Sequence, residues 1–224
     1  MFDLYHFTTG NVFKVALALE EMDLSYRKIT VDISKGDQLR PEFLRINPNN
    51  KVPALVDHAP ADGGPPLSLF ESGAILIYLA EKTGQFLPTA GRERAEVMKW
   101  LMWQMSGFGP MIGQLHYFLF FAPQPIPHAI ERYRTEAWRL YRVMNEQLEG
   151  RDYIAGAYSI ADMACWGWAI YHDIHGQDFS ATPNIARWFS AIEQRPAAQR
   201  ALDGFRPVRP QITDEARRVM FLQK

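Results

Sequence analysis

The hydrophobic pattern of this chain changes character between residues 84 and 92, and that change limits the folds available to it. Before it, short runs rich in aromatic and β-branched residues alternate with segments of helical period; after it, only the helical period remains. Residues 2–7 and 26–31 have the composition of strands, and residues 12–19 between them repeat apolar side chains at helical spacing. This order predicts a parallel strand pair joined by a right-handed crossover.

Two more strands and an apolar helix complete the first part of the chain. Residues 54–56 and 67–70 are short apolar runs, and the Gly- and Pro-rich residues 61–66 between them predict a hairpin-like connection. The helix predicted to begin at Ser72 is apolar on nearly every side and ends at Gly84. We therefore expect a second layer of structure to cover this helix.

The remainder of the chain has the pattern of helices. The expected segments are residues 92–121, interrupted and kinked at Gly107-Phe108-Gly109-Pro110, residues 128–148, a helix through Ile170 opened by the capping-box arrangement Ser159-Ile160-Ala161-Asp162, and short helices that begin near Pro183 and Pro196. The tail after Gly204 is rich in proline and arginine, and we expect it to lie on the surface.

Charge and hydropathy argue against several classes of function. The formal net charge of the 224 residues is −1 at pH 7, which disfavours a protein that binds nucleic acid by neutralising phosphates. No apolar run approaches the ~18 residues that span a bilayer, and the amino end lacks the basic-then-apolar pattern of a signal peptide. We therefore expect a cytoplasmic protein with neither a membrane nor a nucleic acid as its partner.

The cysteine and histidine content restricts the chemistry further. Cys165 is the single cysteine, so the chain can form neither an internal disulfide nor a two-thiol Cys-x-x-Cys site. Its position in a capped apolar helix predicts a buried structural thiol. His172 and His175 lie three residues apart without further ligands nearby in sequence, which is weak support for a metal site. We expect none.

The stretch Asn49–Gly73 combines two features that suit a small zwitterionic peptide. Val52 precedes Pro53 and is therefore held extended, so its N–H and C=O can pair with the backbone of a ligand. Ser72 has the chemistry of a helix N-cap, and the amides of the helix that follows can receive a carboxylate. Glu71 beside it can meet an ammonium group.

A second polar segment, Thr8-Thr9-Gly10-Asn11, joins the first strand to the first helix. Its hydroxyl and amide side chains fit helix capping, and they equally fit a site that holds a thiolate, so both interpretations stay open. Tyr5 lies inside the strand pattern, which favours a structural role for it over a catalytic one.

The order and spacing of several motifs resemble those of the cytosolic glutathione transferases, most closely the nu class, a bacterial disulfide-bond-reductase type. The motifs are Thr8-Thr9-Gly10-Asn11, Gln38, Asn49-Asn50-Lys51-Val52-Pro53, Glu71-Ser72-Gly73 and Ser159-Ile160-Ala161-Asp162. The resemblance extends along the whole chain and implies an α/β plus all-α architecture. A thioredoxin-like, glutathione-binding domain over residues 1–85 would precede an all-helical domain over residues 92–224, and the protein would form a homodimer.

The resemblance also implies roles for individual residues. Thr9 and Asn11 are the expected catalytic residues, which would hold the sulfur of glutathione as a thiolate. The expected glutathione-binding residues are Gln38, Lys51, Val52, Pro53, Glu71, Ser72 and Arg132, with Val52-Pro53 at the cysteinyl backbone and Glu71-Ser72 at the γ-glutamyl end. Arg132 taken alone also fits a solvated surface charge.

Because no protein thiol is expected at this site, the reactive sulfur must arrive with the ligand. The resemblance implies a pocket for two glutathione molecules or one glutathione disulfide, and hence a glutathione-dependent reduction of small disulfides, with organic hydroperoxide reduction as a side activity. Two alternatives stay open. One is a glutathione S-transferase that conjugates apolar electrophiles held by aromatic side chains; the other is a non-catalytic binding or regulatory protein with the same fold.

Overall fold

The computed structural model describes residues 1–221, and a four-stranded sheet organises the first part of the chain. Its strands are β1 (Phe2–His6), β2 (Tyr26–Thr30), β3 (Ala54–Asp57) and β4 (Leu67–Phe70). They lie in the order β2-β1-β3-β4, with β1 and β2 parallel and β3 antiparallel to both of its neighbours. The predicted parallel pair and the predicted hairpin are therefore confirmed.

Helices make up most of the remaining structure. They are α1 (Gly10–Glu21), α2 (Pro41–Leu44), α3 (Ser72–Thr83), α4 (Gly91–Trp103), α5 (Gly109–Phe120), α6 (Pro127–Gln147), α7 (Ile160–Ala169), α8 (Pro183–Glu193), α9 (Pro196–Leu202) and α10 (Asp214–Phe221). The three elements α1, α2 and α3 belong to the sheet-containing part, and α4 to α9 form a helical layer. The predicted fold class, α/β followed by all-α, is confirmed.

The two parts share one hydrophobic core, and α3 lies inside it. Ile75, Leu76 and Leu79 of α3 are fully buried, and the helix contacts α1, β3 and α7. A helix that is apolar on nearly every side needs such a second layer, so this prediction is also confirmed. The domain limits of 1–85 and 92–224 stay a prediction, and their last three residues, 222–224, lie outside the described part of the chain.

The two parts approach each other closely where α1 crosses α7. A Cβ atom added at Gly10 would lie 2.8 Å from the carbonyl oxygen of Gly167, and one added at Gly167 would lie 2.6 Å from the carbonyl oxygen of Gly10. Two glycines facing each other let the backbones approach closely. The next residues along the two helices, Asn11 and Trp168, are therefore brought together.

The interruption of the long helix differs from the prediction. A π-helical turn at Gln104–Phe108 separates α4 from α5, whereas the sequence placed a kink at residues 107–110. The helix continues through this turn, because Phe108 and Gly109 keep right-handed helical dihedrals and the amide of Gly109 donates to the carbonyl of Gln104. Pro110 has no N–H with which to continue this ladder. The irregular turn therefore lies ahead of the proline.

The carboxyl-terminal tail forms a helix that the sequence analysis did not predict. Its residues are partly exposed, as expected, but α10 packs against both parts of the chain. The side-chain amide of Gln38 donates to the carbonyl of Val219 over 3.4 Å, and the ring of Phe221 contacts those of Tyr117 and Phe121. Within residues 1–221, no helix has both the length and the hydropathy needed to cross a bilayer.

Candidate active site

Two neighbouring cavities lie between the sheet-containing part and the helical layer. Cavity 1 has a volume of about 600 Å³ and is lined by polar groups that include Lys14, Glu71 and Ser72. Cavity 2 has a volume of about 530 Å³ and lies between the start of α1 and the tail, with Thr9 in its wall. Residues that line both cavities are Asn11, Lys51, Gly113, Tyr117, Trp168 and Phe221. The cavities therefore meet at a common wall.

The amino end of α1 faces cavity 2. Thr9 is the N-cap, and its hydroxyl oxygen accepts from the amide of Val12 over 3.3 Å. The hydroxyl proton stays available for donation, so capping and ligand binding are compatible. The Thr9 carbonyl accepts from Val12 and Phe13, while the amides of Gly10 and Asn11 precede the intrahelical ladder. This end therefore presents donors to an anion.

The side chain of Asn11 is held in one orientation. Its carbonyl oxygen Oδ1 accepts from the indole nitrogen Nε1 of Trp168 over 2.9 Å. An indole N–H is only a donor, so it must face the oxygen of the carboxamide. The Nδ2 group of Asn11 then points away from Trp168, in a residue that lines both cavities.

The amino end of α3 faces cavity 1. The sequence analysis expected Ser72 to be the N-cap of this helix, and that prediction is wrong. The capping position belongs to Glu71, whose φ of 68° lies in the left-handed region, and no side chain caps this helix. Ser72 is the first helical residue, and its hydroxyl lies 3.9 Å from the Sδ atom of Met105. Non-glycine residues rarely adopt positive φ, and such strain clusters at functional sites.

The loop before β3 carries Lys51 and Val52 to the cavities. Asn47 is buried, accepts from the amide of Asn49 and donates to the carbonyl of Lys51 over 2.6 Å. The Val52–Pro53 peptide is cis. Val52 precedes the sheet ladder, which begins at Ala54, and it lines cavity 2. Its backbone can therefore meet a ligand, as the sequence suggested.

Gln38 and Arg132 differ in their relation to the cavities. Gln38 is buried in the wall of cavity 2 beneath α10, and its Oε1 atom has no protein donor among the described residues. Arg132 lies on α6, with an exposed side chain 3.6 Å from a carboxylate oxygen of Glu136. It lines neither cavity, so its predicted contact with glutathione stays a prediction.

Lys14 is a site residue that the sequence analysis missed. It is 2% exposed, it lines cavity 1, and its Nζ donates to Oε1 of Gln104 over 2.8 Å. Burial lowers the pKa of Lys14 to about 7. A lysine between the apolar residues of α1 is visible in the sequence, and it could have indicated a buried functional side chain. Gln104, its partner in the π-helical turn 90 residues later, gave no such signal.

A histidine pair joins the wall of cavity 2 to the interior, because His116 lines the cavity and His175 is buried behind it. Nδ1 of His116 and Nε2 of His175 are 2.8 Å apart, and burial lowers the pKa of His116 to about 4 and that of His175 to about 3. Both rings are therefore neutral at pH 7. Across residues 1–221 no three His, Cys, Asp or Glu side chains are grouped as a metal site would need.

Three side chains outside the cavities have the structural roles that were expected of them. Cys165 is fully buried, and burial raises the pKa of its thiol. Asp162 completes a capping box with Ser159 at the start of α7. Tyr5 lies in β1 and contacts the ring of Phe43. None of them lines either cavity.

Family models match both parts of the chain. The model of the glutathione S-transferase N-terminal domain matches residues 2–81, and that of the glutathione S-transferase C-terminal domain matches residues 108–196. Disulfide-bond oxidoreductase YfcG of Escherichia coli (strain K12) is 56% identical over 203 residues, which cover 90% of this chain and 94% of that protein.

Two similar crystal structures contain glutathione in different forms. A glutathione transferase from Burkholderia graminis, with two glutathione molecules bound per subunit, is 44% identical with a TM-score of 0.86; the match covers 91% of this chain and 88% of that one. A glutathione transferase from Pseudomonas putida, with one glutathione disulfide bound per subunit, is 40% identical with a TM-score of 0.84; the match covers 91% of each chain.

Proposed function

This chain belongs to the glutathione S-transferase family, and we propose that it reduces small disulfides with glutathione as the thiol. Its similarity to a disulfide-bond oxidoreductase and to transferases that bind two glutathiones or one glutathione disulfide supports this function. Glutathione is then a co-substrate. The two adjoining cavities can take two such tripeptides, or the two halves of the disulfide.

The observation that carries the proposal is the position of the only cysteine. Cys165 is fully buried in α7 and lines neither cavity, so no protein thiol can attack a substrate there. The amino ends of α1 and α3 nevertheless both face the cavities with donors that suit anions. A site that offers hydrogen-bond donors to an anion but has no protein thiol suits a reaction in which the ligand brings the reactive sulfur.

The residue roles are part of the proposal, and the cavity lining supports most of them. Thr9 and Asn11 donate to the sulfur of glutathione. The backbone of Val52 pairs with its cysteinyl residue, and Glu71 with Ser72 receives its γ-glutamyl end. The remaining predicted contacts are Gln38, Lys51, Pro53 and Arg132.

Thiolate formation alone gives little acceleration. A free thiol of pKa ~8.5 is about 3% ionised at neutral pH, and a helix terminus with one hydroxyl donor can lower that pKa by roughly 2 units. The thiolate fraction then rises about 25-fold, but nucleophilicity falls about 8-fold at a Brønsted slope of roughly 0.4–0.5. The net gain is only ~3-fold. Holding the two sulfurs in line can lower the barrier by up to roughly 7–11 kcal/mol, so alignment is the larger effect.

The reaction consists of two displacements. The thiolate of one glutathione attacks a sulfur of the substrate disulfide, forms a mixed disulfide and releases one substrate thiolate, which takes a proton from water. A second glutathione thiolate then attacks the glutathione sulfur of the mixed disulfide and releases the other substrate thiolate. The substrate gains two electrons, and the two glutathiones lose them as glutathione disulfide.

Steady-state turnover with hydroxyethyl disulfide and glutathione tests the proposal. We expect disulfide reduction to exceed conjugation of an aryl halide by the same preparation. Binding of glutathione with no disulfide turnover would exclude the oxidoreductase, and absence of glutathione binding would leave the non-catalytic alternative. An assay with an organic hydroperoxide measures the side activity separately.

Thr9→Ala tests the hydroxyl donor. The variant loses both the cap of α1 and the donor to sulfur, so disulfide turnover falls at least about 10-fold and the free energy of unfolding falls by about 1 kcal/mol. Thr9→Ser is the matched control, because it keeps a hydroxyl in both roles, and it should retain most of the activity. Unchanged turnover in Thr9→Ala would remove Thr9 from the mechanism.

Conjugation of apolar electrophiles is a second candidate function, and the wall of cavity 2 favours it. Phe121, Tyr171 and Phe205 contribute aromatic surface there. An electrophile stacked on these rings would lie beside the same thiolate. Comparison of kcat/KM for an aryl halide and for hydroxyethyl disulfide decides which substrate the cavity serves.

We also propose that the protein acts as a homodimer in the cytoplasm. Leu67 and Phe70 of β4 and Met102 of α4 are large apolar side chains left exposed on the single chain. A dimer that covers them would remove this surface from water. Sedimentation equilibrium of the full chain, with Phe70→Lys as the disrupting variant, measures the assembly.

A further inference from the structure

We propose that Trp168 is a positioning residue, whose indole N–H turns the Asn11 carboxamide so that its NH2 group faces the sulfur of bound glutathione. The inference rests on the proposed function, because it assigns a role to a residue that does not itself need to touch the sulfur. No motif singled out Trp168, and its partner lies 157 residues earlier in the chain.

The orientation follows from hydrogen-bond chemistry. A carboxamide has one end that accepts and one end that donates, and the two differ little in shape. Nε1 of Trp168 lies 2.9 Å from Oδ1 of Asn11 and can only donate. Rotation of the carboxamide by half a turn would set two N–H groups against each other. The indole therefore selects the rotamer that leaves Nδ2 free to donate elsewhere.

Nδ2 has no protein acceptor among the described residues, and it is not sealed off from solvent. Asn11 belongs to the wall that cavities 1 and 2 share. A donor at this wall is placed where the sulfurs of two ligands, one in each cavity, would meet. It can stabilise the attacking thiolate or the leaving thiolate in each displacement.

The crossing of α1 and α7 holds the pair rigidly. A Cβ atom at Gly10 would lie 2.9 Å from the Trp168 ring, so the indole rests directly on the backbone of α1. On its other sides the ring contacts those of His116 and Tyr171. Because His116 is held in turn by its bond to His175, the indole has little room to rotate.

Without the indole N–H, the carboxamide would lose this preference. Either end could then face the sulfur, and the oxygen end would repel a thiolate. The donor would be present for only part of the time. The consequence is a higher pKa for the thiol of bound glutathione, with little change in the contacts that bind the rest of the tripeptide.

Trp168→Phe tests the inference, because it removes the N–H and keeps an aromatic ring on Gly10. The pKa of bound glutathione is read from the ultraviolet absorbance of its thiolate as a function of pH. We expect a rise of about one unit, equivalent to a roughly tenfold smaller thiolate fraction well below the pKa. Because the more basic thiolate is also the better nucleophile, we expect kcat/KM for hydroxyethyl disulfide to fall only about threefold. The glutathione Kd, measured below the thiol pKa, should change by less than about threefold.

Two further variants separate positioning from a general loss of packing. Trp166→Phe removes a buried indole from the same helix, one whose Nε1 has no partner within residues 1–221, and it should leave the thiol pKa unchanged. Asn11→Asp still accepts from Trp168 but aims a carboxylate oxygen at the sulfur. It should raise the thiol pKa more than Trp168→Phe does.

The outcomes distinguish this inference from the function on which it rests. If the parent protein binds glutathione without lowering its thiol pKa, the proposed thiolate site fails. If the parent lowers the pKa and Trp168→Phe lowers it equally, the positioning role alone is overturned. An equal rise of the thiol pKa in Trp166→Phe and in Trp168→Phe would also overturn the positioning role, because a loss of packing would then explain both results.

Discussion

The amino ends of α7 and α3 each carry a serine, but they differ in how their donors are used. At α7, Ser159 is the N-cap, and the carboxylate of Asp162 at the third helical position accepts from the amide of Ser159. These two side chains therefore satisfy amides at the start of the helix. At α3, Ser72 lies one position further into the helix, Ile75 follows at the fourth helical position, and no side chain caps the end. One end is closed by the protein itself, and the other is open to a cavity.

This difference separates a structural helix end from a binding one. Asp162 is fully buried and accepts four hydrogen bonds, from the amides of Ile154 and Ser159, the hydroxyl of Ser159 and the indole of Trp188. Burial still raises its pKa to about 6. A helix end whose donors are all satisfied within the protein has nothing left for a ligand, whereas an uncapped end beside a cavity does.

Asp162→Ala should produce the largest effect, because it opens the closed end. Four buried donors would lose their acceptor, and each unsatisfied group costs about 1–3 kcal/mol. We expect the free energy of unfolding, measured by denaturant titration, to fall by at least about 3 kcal/mol. Asp162→Asn, which keeps one acceptor oxygen, should lose less. Equal losses in the two variants would contradict the assignment of these bonds.

Lys14→Met tests the buried amine that lines cavity 1, the cavity that the open end of α3 faces. The effect of this substitution on stability depends on pH. Burial lowers the pKa of Lys14 to about 7 in the folded protein, from an ordinary value of 10.5 in the unfolded chain. Between these values the unfolded chain binds more protons, so the stability of the parent should rise with pH, by up to about 1.4 kcal/mol per pH unit.

Unfolding of the parent and of Lys14→Met at pH 7.5 and 9.5 measures this difference. The parent should gain about 2–3 kcal/mol more than the variant over the two pH units. Lys14→Arg is not a suitable control, because its charge would persist across the range. Parallel pH profiles for the parent and Lys14→Met would show that Lys14 does not cause the increase of stability with pH.

Ser72→Ala should have the smallest effect on stability and a clear effect on binding. Because Ser72 caps nothing, the free energy of unfolding should change by less than about 0.5 kcal/mol. The Kd of glutathione, measured by calorimetry, should rise about tenfold through the lost hydrogen bond to a carboxylate. Ser159→Ala is the matched variant at the closed end, and it should lose about 1 kcal/mol of stability without any change in Kd. If Ser72→Ala lost stability and Ser159→Ala weakened glutathione binding, the start of α3 would be the structural end and the start of α7 the binding end.

Much of this site could be predicted from local chemistry. Thr9, Asn11 and Val52 each stand where a strand and a helix meet or where a proline holds the chain extended, so their backbone geometry is set by neighbours in sequence. Ser72 shows the limit of this approach. A Cβ atom at Gly73 would lie 2.8 Å from the Sδ atom of Met105, so the position of the helix start is tied to the distant π-helical turn.

Other features depended on long-range contacts that no local pattern encodes. Lys14 finds its acceptor 90 residues away, and Asn11 finds its donor 157 residues away. The helix α10 was missed because only its packing over Gln38 and Tyr117 distinguishes it from a surface tail.

The amino-acid sequence by itself determined the class of fold, the order of the strands and of the helices before α10, and the need for a sulfur that comes from outside the chain. Hydrophobic period, turn residues and a single cysteine are local properties, so they can be interpreted one segment at a time. The tertiary structure alone decided which helix ends stay open and which end of the Asn11 carboxamide faces the cavities. Those choices depend on atoms from α1, α3 and α7 meeting within hydrogen-bond distance, which the folded chain brings about and no single segment contains.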